Sequence, residues 1–239
     1  MRWWTESLPG MLTRLFEPNI VYVTIRGFFR LFFRIMGTWR IVGLEHIPPE
    51  GPVIIISNHI SYLDPPLMGS AVRRTVAYMG KAELFTGNRL LAWVCRKLES
   101  YPVRQGTADR EALRTTFEIL ERGWMVGIFP EGHRSETGEL QPFQPGLGLI
   151  ALRSRAPVVP CGFAGTYEML RPHSKRLRRS HIEVHFGPPL KLDDLYEMED
   201  KKQAAALVNE RAYAEVKRLV EEAKAAREQW YARRGRKMP

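Results

Sequence analysis

Val53-Ile54-Ile55-Ile56-Ser57, followed at once by Asn58-His59-Ile60-Ser61-Tyr62-Leu63-Asp64-Pro65-Pro66, is the stretch on which the fold turns. An apolar run of strand length that ends in a polar turn reads as a buried strand. Outward from it the pattern repeats. Thr75 to Met79 is a second strand candidate. Asp109 to Arg122 reads as a helix, with Leu113, Phe117 and Leu120 on one face and Gly123 as its stop. Trp124 to Phe129 is a third strand, closed by Pro130, and Pro157 to Phe163 and Ile182 to Phe186 are two more. Strands alternating with helices predict an α/β fold: a single domain with a central, largely parallel mixed sheet flanked by helices. In such sheets the chemistry collects in loops beyond the carboxyl ends of the strands.

The remaining composition narrows the class. With 239 residues, 44% hydrophobic and 26% charged, the chain is long enough for a sizeable core and unlike collagenous or disordered chains. Cys95 and Cys161 both lie in apolar contexts, which excludes a disulfide framework and favours a reducing compartment. No close cysteine pair offers a zinc site. The formal charge of +10 asks for an anionic partner, whether nucleic acid, membrane or phosphorylated substrate.

Three regions are expected: an N-terminal helical segment over residues 1–37, a catalytic domain over 38–200, and a charged helix and tail over 201–239. Within Asn19 to Met36, Arg26, Arg30 and Arg34 recur every four residues and share a helical face. They are too many for a bilayer span. They suit an amphipathic helix lying in a membrane interface, with arginines toward phosphates and aromatics such as Phe29, Phe32 and Phe33 in the acyl boundary. The competing reading packs the same helix on the domain's own core. The start of the chain is no secretory signal, so the expected place is the cytoplasmic face of a membrane, peripheral or monotopic. Residues 203–230 form a long helix with Leu207, Tyr213, Val216, Leu219 and Val220 on one side and a largely solvated face opposite.

Two polar clusters follow apolar strands. In the first, His59 precedes Asp64 by five residues. A regular helix would hold them about 140° apart, but a turn at the strand's end can bring them together. Asp64 would then fix the imidazole tautomer and make the far nitrogen a general base. No serine or cysteine is placed as an enzyme nucleophile, so the substrate must bring its own hydroxyl. A purely structural His-Asp pair is the alternative. The second cluster, Phe129-Pro130-Glu131-Gly132-His133-Arg134-Ser135, offers Arg134 as a forked phosphate ligand, and Glu131 as an acceptor for a substrate hydroxyl or a brace for an arginine. Here the alternative is a surface turn with a weak ion pair. Arg104 in Tyr101-Pro102-Val103-Arg104 and Lys81 in Gly80-Lys81-Ala82-Glu83-Leu84-Phe85 are further candidate anion ligands.

NHISYLD, GKAELF, YPVR, FPEGHRS and APVVP occur in that order. With this ordered set, residues 38–190 resemble the glycerolipid acyltransferases, and most closely the 1-acylglycerol-3-phosphate acyltransferases that make phosphatidic acid. The resemblance implies acyl transfer from acyl-CoA or acyl-carrier protein, as co-substrate, to the sn-2 hydroxyl of lysophosphatidic acid, with no metal and no further cofactor. It makes His59 the base and Asp64 its partner. It puts Arg104, Glu131 and Arg134 at the glycerol phosphate, with Gly132 as the turn glycine and Lys81 in phosphate binding. Val158 and Pro160 fall in an apolar block near the acceptor or its acyl chain, and the N-terminal helix corresponds to a membrane anchor. Two departures bear on the acceptor headgroup: His133 stands where many members have Thr, and Phe143 is followed by Gln144 where many have a basic residue.

In the implied mechanism His59 deprotonates the acceptor hydroxyl as it attacks the thioester, then protonates the departing thiol. Backbone N–H groups near the His59 turn are the expected oxyanion donors. The basic run Arg171 to Arg179 is read as either a solvated loop or a contact for anionic headgroups, CoA phosphates or an acidic carrier protein. Nucleic acid is not an expected partner. The same chemistry on another acceptor, or a non-enzymatic membrane-binding protein, are the readings held against this one.

Overall fold

In the computed structural model, residues 20–104, 109–174 and 176–239 are described, so Trp3, Trp4 and the rest of the first nineteen residues, Gln105, Gly106 and Lys175 lie outside it. Helix α1 (Ile20–Ile35) leads into strand β1 (Gly37–Val42). Strand β2 (Val53–Ser57) follows, then helix α2 (Asp64–Ala71), β3 (Val76–Lys81), α3 (Arg89–Lys97) and β4 (Ser100–Val103). Next come α4 (Arg110–Glu121), β5 (Met125–Ile128), α5 (Gly146–Ser154) and β6 (Val158–Ala164). The one-turn α6 (Thr166–Met169), β7 (Ser180–Phe186), the short α7 (Asp193–Tyr196) and α8 (Lys201–Ala232) complete the chain.

The strands form one sheet in the order β1-β7-β6-β2-β5-β3-β4. Strands β6, β2, β5, β3 and β4 run parallel, β7 is antiparallel to β6, and β1 is parallel to β7. The expected α/β architecture with a mostly parallel sheet is what the chain adopts. Every residue of β2 is buried, because the strand lies in the middle of the sheet with a core on each face. Each of its isoleucines contributes about 1.5–3 kcal/mol by leaving water.

Right-handed crossovers decide the layers. The steps from β2 to β3 and from β3 to β4 move one way across the sheet, so α2 and α3 lie on one face. The steps from β4 to β5 and from β5 to β6 move back, so α4 and α5 lie on the other. Helix α1 joins the first face, its Phe33 packed among Leu67, Met68, Val159 and Phe163. Helix α8 joins the second, inserting Ala204, Val208, Ala212, Val216 and Val220 into the core around Ile54 and Phe117. Helix α8 lies so close to the sheet that a Cβ on Gly162 would strike the Leu219 backbone and one on Gly148 the Ala205 backbone.

The orientation of α1 differs from expectation. Arg26 Nη1 donates to the Arg73 carbonyl at 2.7 Å, and Arg30 donates to Ser70 at 2.8 Å and Val72 at 3.4 Å. These carbonyls close α2 and the turn after it, where cations are favoured and acceptors lack helical partners. Only Arg34 of the three is exposed. Phe29 and Phe32 pack against the core and Phe33 is fully buried, so these three are not the residues turned outward. The outward face carries Ile20, Phe28, Leu31 and Ile35, each more than half exposed. Among the described residues no helix is long and apolar enough to cross a membrane.

Candidate active site

The carboxyl ends of the five parallel strands share one edge, and the turns that leave β2 and β5 there are locked together. Asn58 anchors the first turn by accepting from the Phe163 amide at 2.8 Å and donating to the Phe163 carbonyl at 3.1 Å. The backbone of His59 is then clamped by the β5 loop on both sides. Its N–H donates to Glu131 Oε1 at 2.5 Å, and its carbonyl accepts from the Ser135 amide at 2.7 Å. The imidazole lies on the Phe129 ring, centroids 4.2 Å apart.

The turn brings His59 and Asp64 together: Nδ1 sits 2.9 Å from Asp64 Oδ2. The prolines that would interrupt a helix instead open one, since Pro65 and Pro66 occupy the first positions of α2, where no amide donor is required. Asp64 is fully buried, and its oxygens are filled by donors. Oδ2 also accepts from the Ile60 and Ser61 amides, each at 2.7 Å, and Oδ1 accepts from Thr166 Oγ1 at 2.7 Å. An acceptor facing Nδ1 places the imidazole proton there and leaves the Nε2 lone pair for a substrate proton.

The amides of His59, Ile60 and Ser61 are therefore committed to Glu131 and Asp64. In this geometry these three amides are not available to an oxyanion.

Glu131 is placed differently from a ligand-facing carboxylate. It is fully buried, with Oε1 on the His59 amide and Oε2 on the Gln141 amide at 2.8 Å. Burial pushes its pKa up, the two amides pull it down, and the neighbouring Asp64 pushes it up again, leaving it at about 7. Gly132 beside it has φ +75, a conformation that suits glycine alone, and a Cβ there would also press on Gln144. His133 is exposed, its Nδ1 2.8 Å from the Glu131 carbonyl.

Arg134 has its guanidinium 3.2 Å above the Tyr62 ring centroid, and its Nη1 is buried with no hydrogen-bond partner. A buried, charged donor left unmet is costly. An anion at this position would supply the missing acceptor.

Lys81 ends β3, paired in register with Val103, and Arg104 follows β4. Both are exposed on the same edge as the dyad. At the usual strand spacing they are displaced sideways from β2 by roughly 10 and 14 Å. The fold thus brings His59, Asp64, Glu131, Gly132 and Arg134 into one cluster and leaves Lys81 and Arg104 at its flank. Val158 and Pro160 are buried within β6, opposite Ile54 and Ile56, as sheet core. Asn58, Phe129 and Thr166 were not singled out in the sequence. Thr166 stands 102 residues from its partner, and no local pattern signals that contact.

A family model described as Acyltransferase matches residues 38–164. The chain is 26% identical over 181 residues to the 1-acyl-sn-glycerol-3-phosphate acyltransferase of Bacillus subtilis, covering 74% of this chain and 86% of that protein. It is 34% identical over 193 residues to the like-named protein of Cocos nucifera, covering 78% of this chain and 60% of the relative. Among solved structures it resembles the 1-acyl-sn-glycerophosphate acyltransferase of Thermotoga maritima, with a TM-score of 0.70 and 28% identity over 90% of this chain and 87% of that one. A model matched over more than half of the chain, on the strands and turns that carry the His59 and Glu131 clusters, shows that the chain belongs to the acyltransferase family.

Proposed function

We propose that this acyltransferase moves a fatty acyl group from a thioester, acyl-CoA or acyl-carrier protein, to the sn-2 hydroxyl of 1-acylglycerol-3-phosphate. The observation that carries the reading is the pairing of His59, oriented by Asp64, with the unmet Arg134 nitrogen on the same strand edge. The names of the relatives agree with it.

His59 Nε2 takes the hydroxyl proton as the acceptor oxygen attacks the thioester carbonyl. The tetrahedral intermediate collapses with loss of the carbon–sulfur bond, and Nε2 returns the proton to the thiolate. Asp64 holds the ring and stabilises the imidazolium that forms. Arg134 grips the acceptor phosphate, with Lys81 and Arg104 as longer-range cationic support, so that the hydroxyl is delivered in line. Glu131 acts through His59, fixing its backbone without touching the substrate. The apolar outer face of α1 holds the protein against the bilayer that supplies the acceptor.

The test is acyl transfer to 1-acylglycerol-3-phosphate on vesicles, with oleoyl-CoA and with acyl-carrier protein as donors. Wild type should form phosphatidic acid, His59→Ala should lose about 10²–10⁴-fold in kcat, and Arg134→Ala should mainly raise the KM for the acceptor. Wild-type inactivity with both donors would remove the acceptor assignment.

A further inference from the structure

Arg134 is held differently from Arg74 and Arg227, which brace the fold. Arg74 commits its guanidinium to the carbonyls of Pro48, Gly51 and Gly123. Arg227 commits its own to the His181 carbonyl, to Glu168 and to Ser180. The Arg134 side chain makes no hydrogen bond and no ion pair among the described residues, although its Nη1 is buried. What steadies it is the face of the Tyr62 ring, with the guanidinium carbon 3.2 Å from the centroid.

That ring is fixed in turn by the loop that carries the dyad. Tyr62 is 59% exposed, between buried Ser61 and buried Leu63. The Ser61 amide donates to Asp64 Oδ2 and the Leu63 amide to Ser61 Oγ, so the backbone on either side of Tyr62 is tied to the turn. Beside Arg134, Glu131 holds the His59 amide and the Ser135 amide holds the His59 carbonyl. The stack of Arg134 on Tyr62 adds a side-chain contact to this lock between the two turns. The Tyr62 hydroxyl makes no hydrogen bond among the described residues, so the contact belongs to the ring.

We infer that Tyr62 is the residue that positions Arg134 for the acceptor phosphate. The inference rests on the reading of a phosphate-bearing acceptor. An aromatic face attracts a guanidinium while leaving its charge and its in-plane N–H donors free. A carboxylate in the same place would also hold Arg134, but would neutralise it and occupy the donors that a phosphate needs. Tyr62 and His59 belong to one rigid turn, so the stack fixes the phosphate anchor relative to the base. An acceptor gripped at its phosphate then delivers its hydroxyl to Nε2. Tyr62 is a positioning residue that acts through Arg134.

The experiment is a double-mutant cycle on acyl transfer to 1-oleoylglycerol-3-phosphate on vesicles, with oleoyl-CoA and with oleoyl-acyl-carrier protein as donors. Tyr62→Leu should raise the acceptor KM about tenfold, the size of a partly desolvated cation–π contact, and change kcat by less than about threefold. Tyr62→Phe keeps the ring face and should stay within about twofold of wild type. In an Arg134→Ala background, Tyr62→Leu should change KM by less than about twofold, because the group it steadies is gone. Proton NMR reads the stack directly. The Arg134 δ-methylene signals, identified by their loss in Arg134→Ala, should be ring-current shifted in wild type and Tyr62→Phe and return to their ordinary position in Tyr62→Leu. The same spectra show that each variant is folded. Equal losses from Tyr62→Leu in both backgrounds, a Tyr62→Phe as weak as Tyr62→Leu, or unshifted Arg134 signals in an active wild type each overturn the inference and leave the acceptor standing. Wild type that forms no phosphatidic acid with either donor removes the acceptor, and the phosphate role of Tyr62 with it.

Discussion

Asp64 has four hydrogen-bond donors around two oxygens, two of them backbone amides that side-chain truncation leaves in place. Asp64→Asn would turn an N–H toward at least one of these donors. The His59 tautomer should fail with it, and kcat should fall by about 10²–10⁴-fold. Thr166→Val removes one donor to a carboxylate oxygen, worth about 1.5–3 kcal/mol, but leaves the other three in place and should cost less in kcat than Asp64→Asn. Steady-state kinetics on the two variants checks the ranking, and a larger loss for Thr166→Val would contradict it. Glu131 makes a prediction about pH. Its pKa in the folded protein, about 7, lies above that of an unfolded glutamate. Between about pH 4.5 and 7 the folded state therefore binds more protons than the unfolded state, and this group's contribution to stability falls as pH rises. At about 1.4 kcal/mol per pH unit, the whole window spans on the order of 3 kcal/mol. Glu131→Gln should remove that slope from urea denaturation curves taken across the window.

Helix α1 and strand β7 carry the predictions that belong to whole elements. Arg30 stitches α1 to the end of α2 through two carbonyls, each a charge-assisted bond. Arg30→Met should cost about 1–3 kcal/mol in urea unfolding, whereas Arg34→Met, at an exposed position, should stay within about 0.5 kcal/mol. On β7, Glu183 accepts from His181 and His185, both at 2.9 Å, and all three face α8, where Trp230 stacks on His181 with centroids 4.2 Å apart. Burial pushes the Glu183 carboxyl up, but the two histidines overcome it and hold the pKa at about 2. A depressed carboxyl stabilises the fold above its unfolded pKa of about 4.5 and loses that contribution as pH falls toward 2. Glu183→Gln should therefore be destabilised at neutral pH and approach wild type in acid, opposite in sign to Glu131→Gln, as denaturation at pH 7 and pH 3 will show.

At the scale of the molecule, exposed positive charge and the His59–Asp64 pair gather on one edge for a topological reason. Five parallel strands end there, and β7 and β1, running the other way, begin there. That brings the end of α1 and the stretch from Arg171 to Ser174 to the same rim, where Ser61 Oγ of the His59 turn donates to the Leu170 carbonyl just before it. The core likewise belongs to the whole chain. Helix α8 buries a strip from Ala204 to Tyr231 against β6 and β7. Ending the chain at Asp200 would expose that apolar face of the sheet, and the truncated protein is expected to lose its cooperative thermal transition.

The sequence by itself determined the class of fold and the chemical pair. An apolar run such as Val53–Ile56 must be buried on both faces, and a His-Asp pair in the turn after it has little freedom to lie apart. The set of turn motifs from His59 to Arg134 supplied the family for the same local reason, since each turn is built from neighbours in the chain. Tertiary structure decided what each side chain faces. Arg26 and Arg30 read as lipid ligands until the end of α2 offered unpaired carbonyls, and a carbonyl forty residues away leaves no trace in a helical period. Glu131 read as an acceptor for a substrate hydroxyl or a brace for an arginine, and the parallel pairing of β2 with β5 set it instead beneath the His59 amide. Thr166, the stacking of Arg134 on Tyr62 and the part of the sheet that α8 covers were hidden for the same cause: they depend on which strands become neighbours, and long-range packing settles that order.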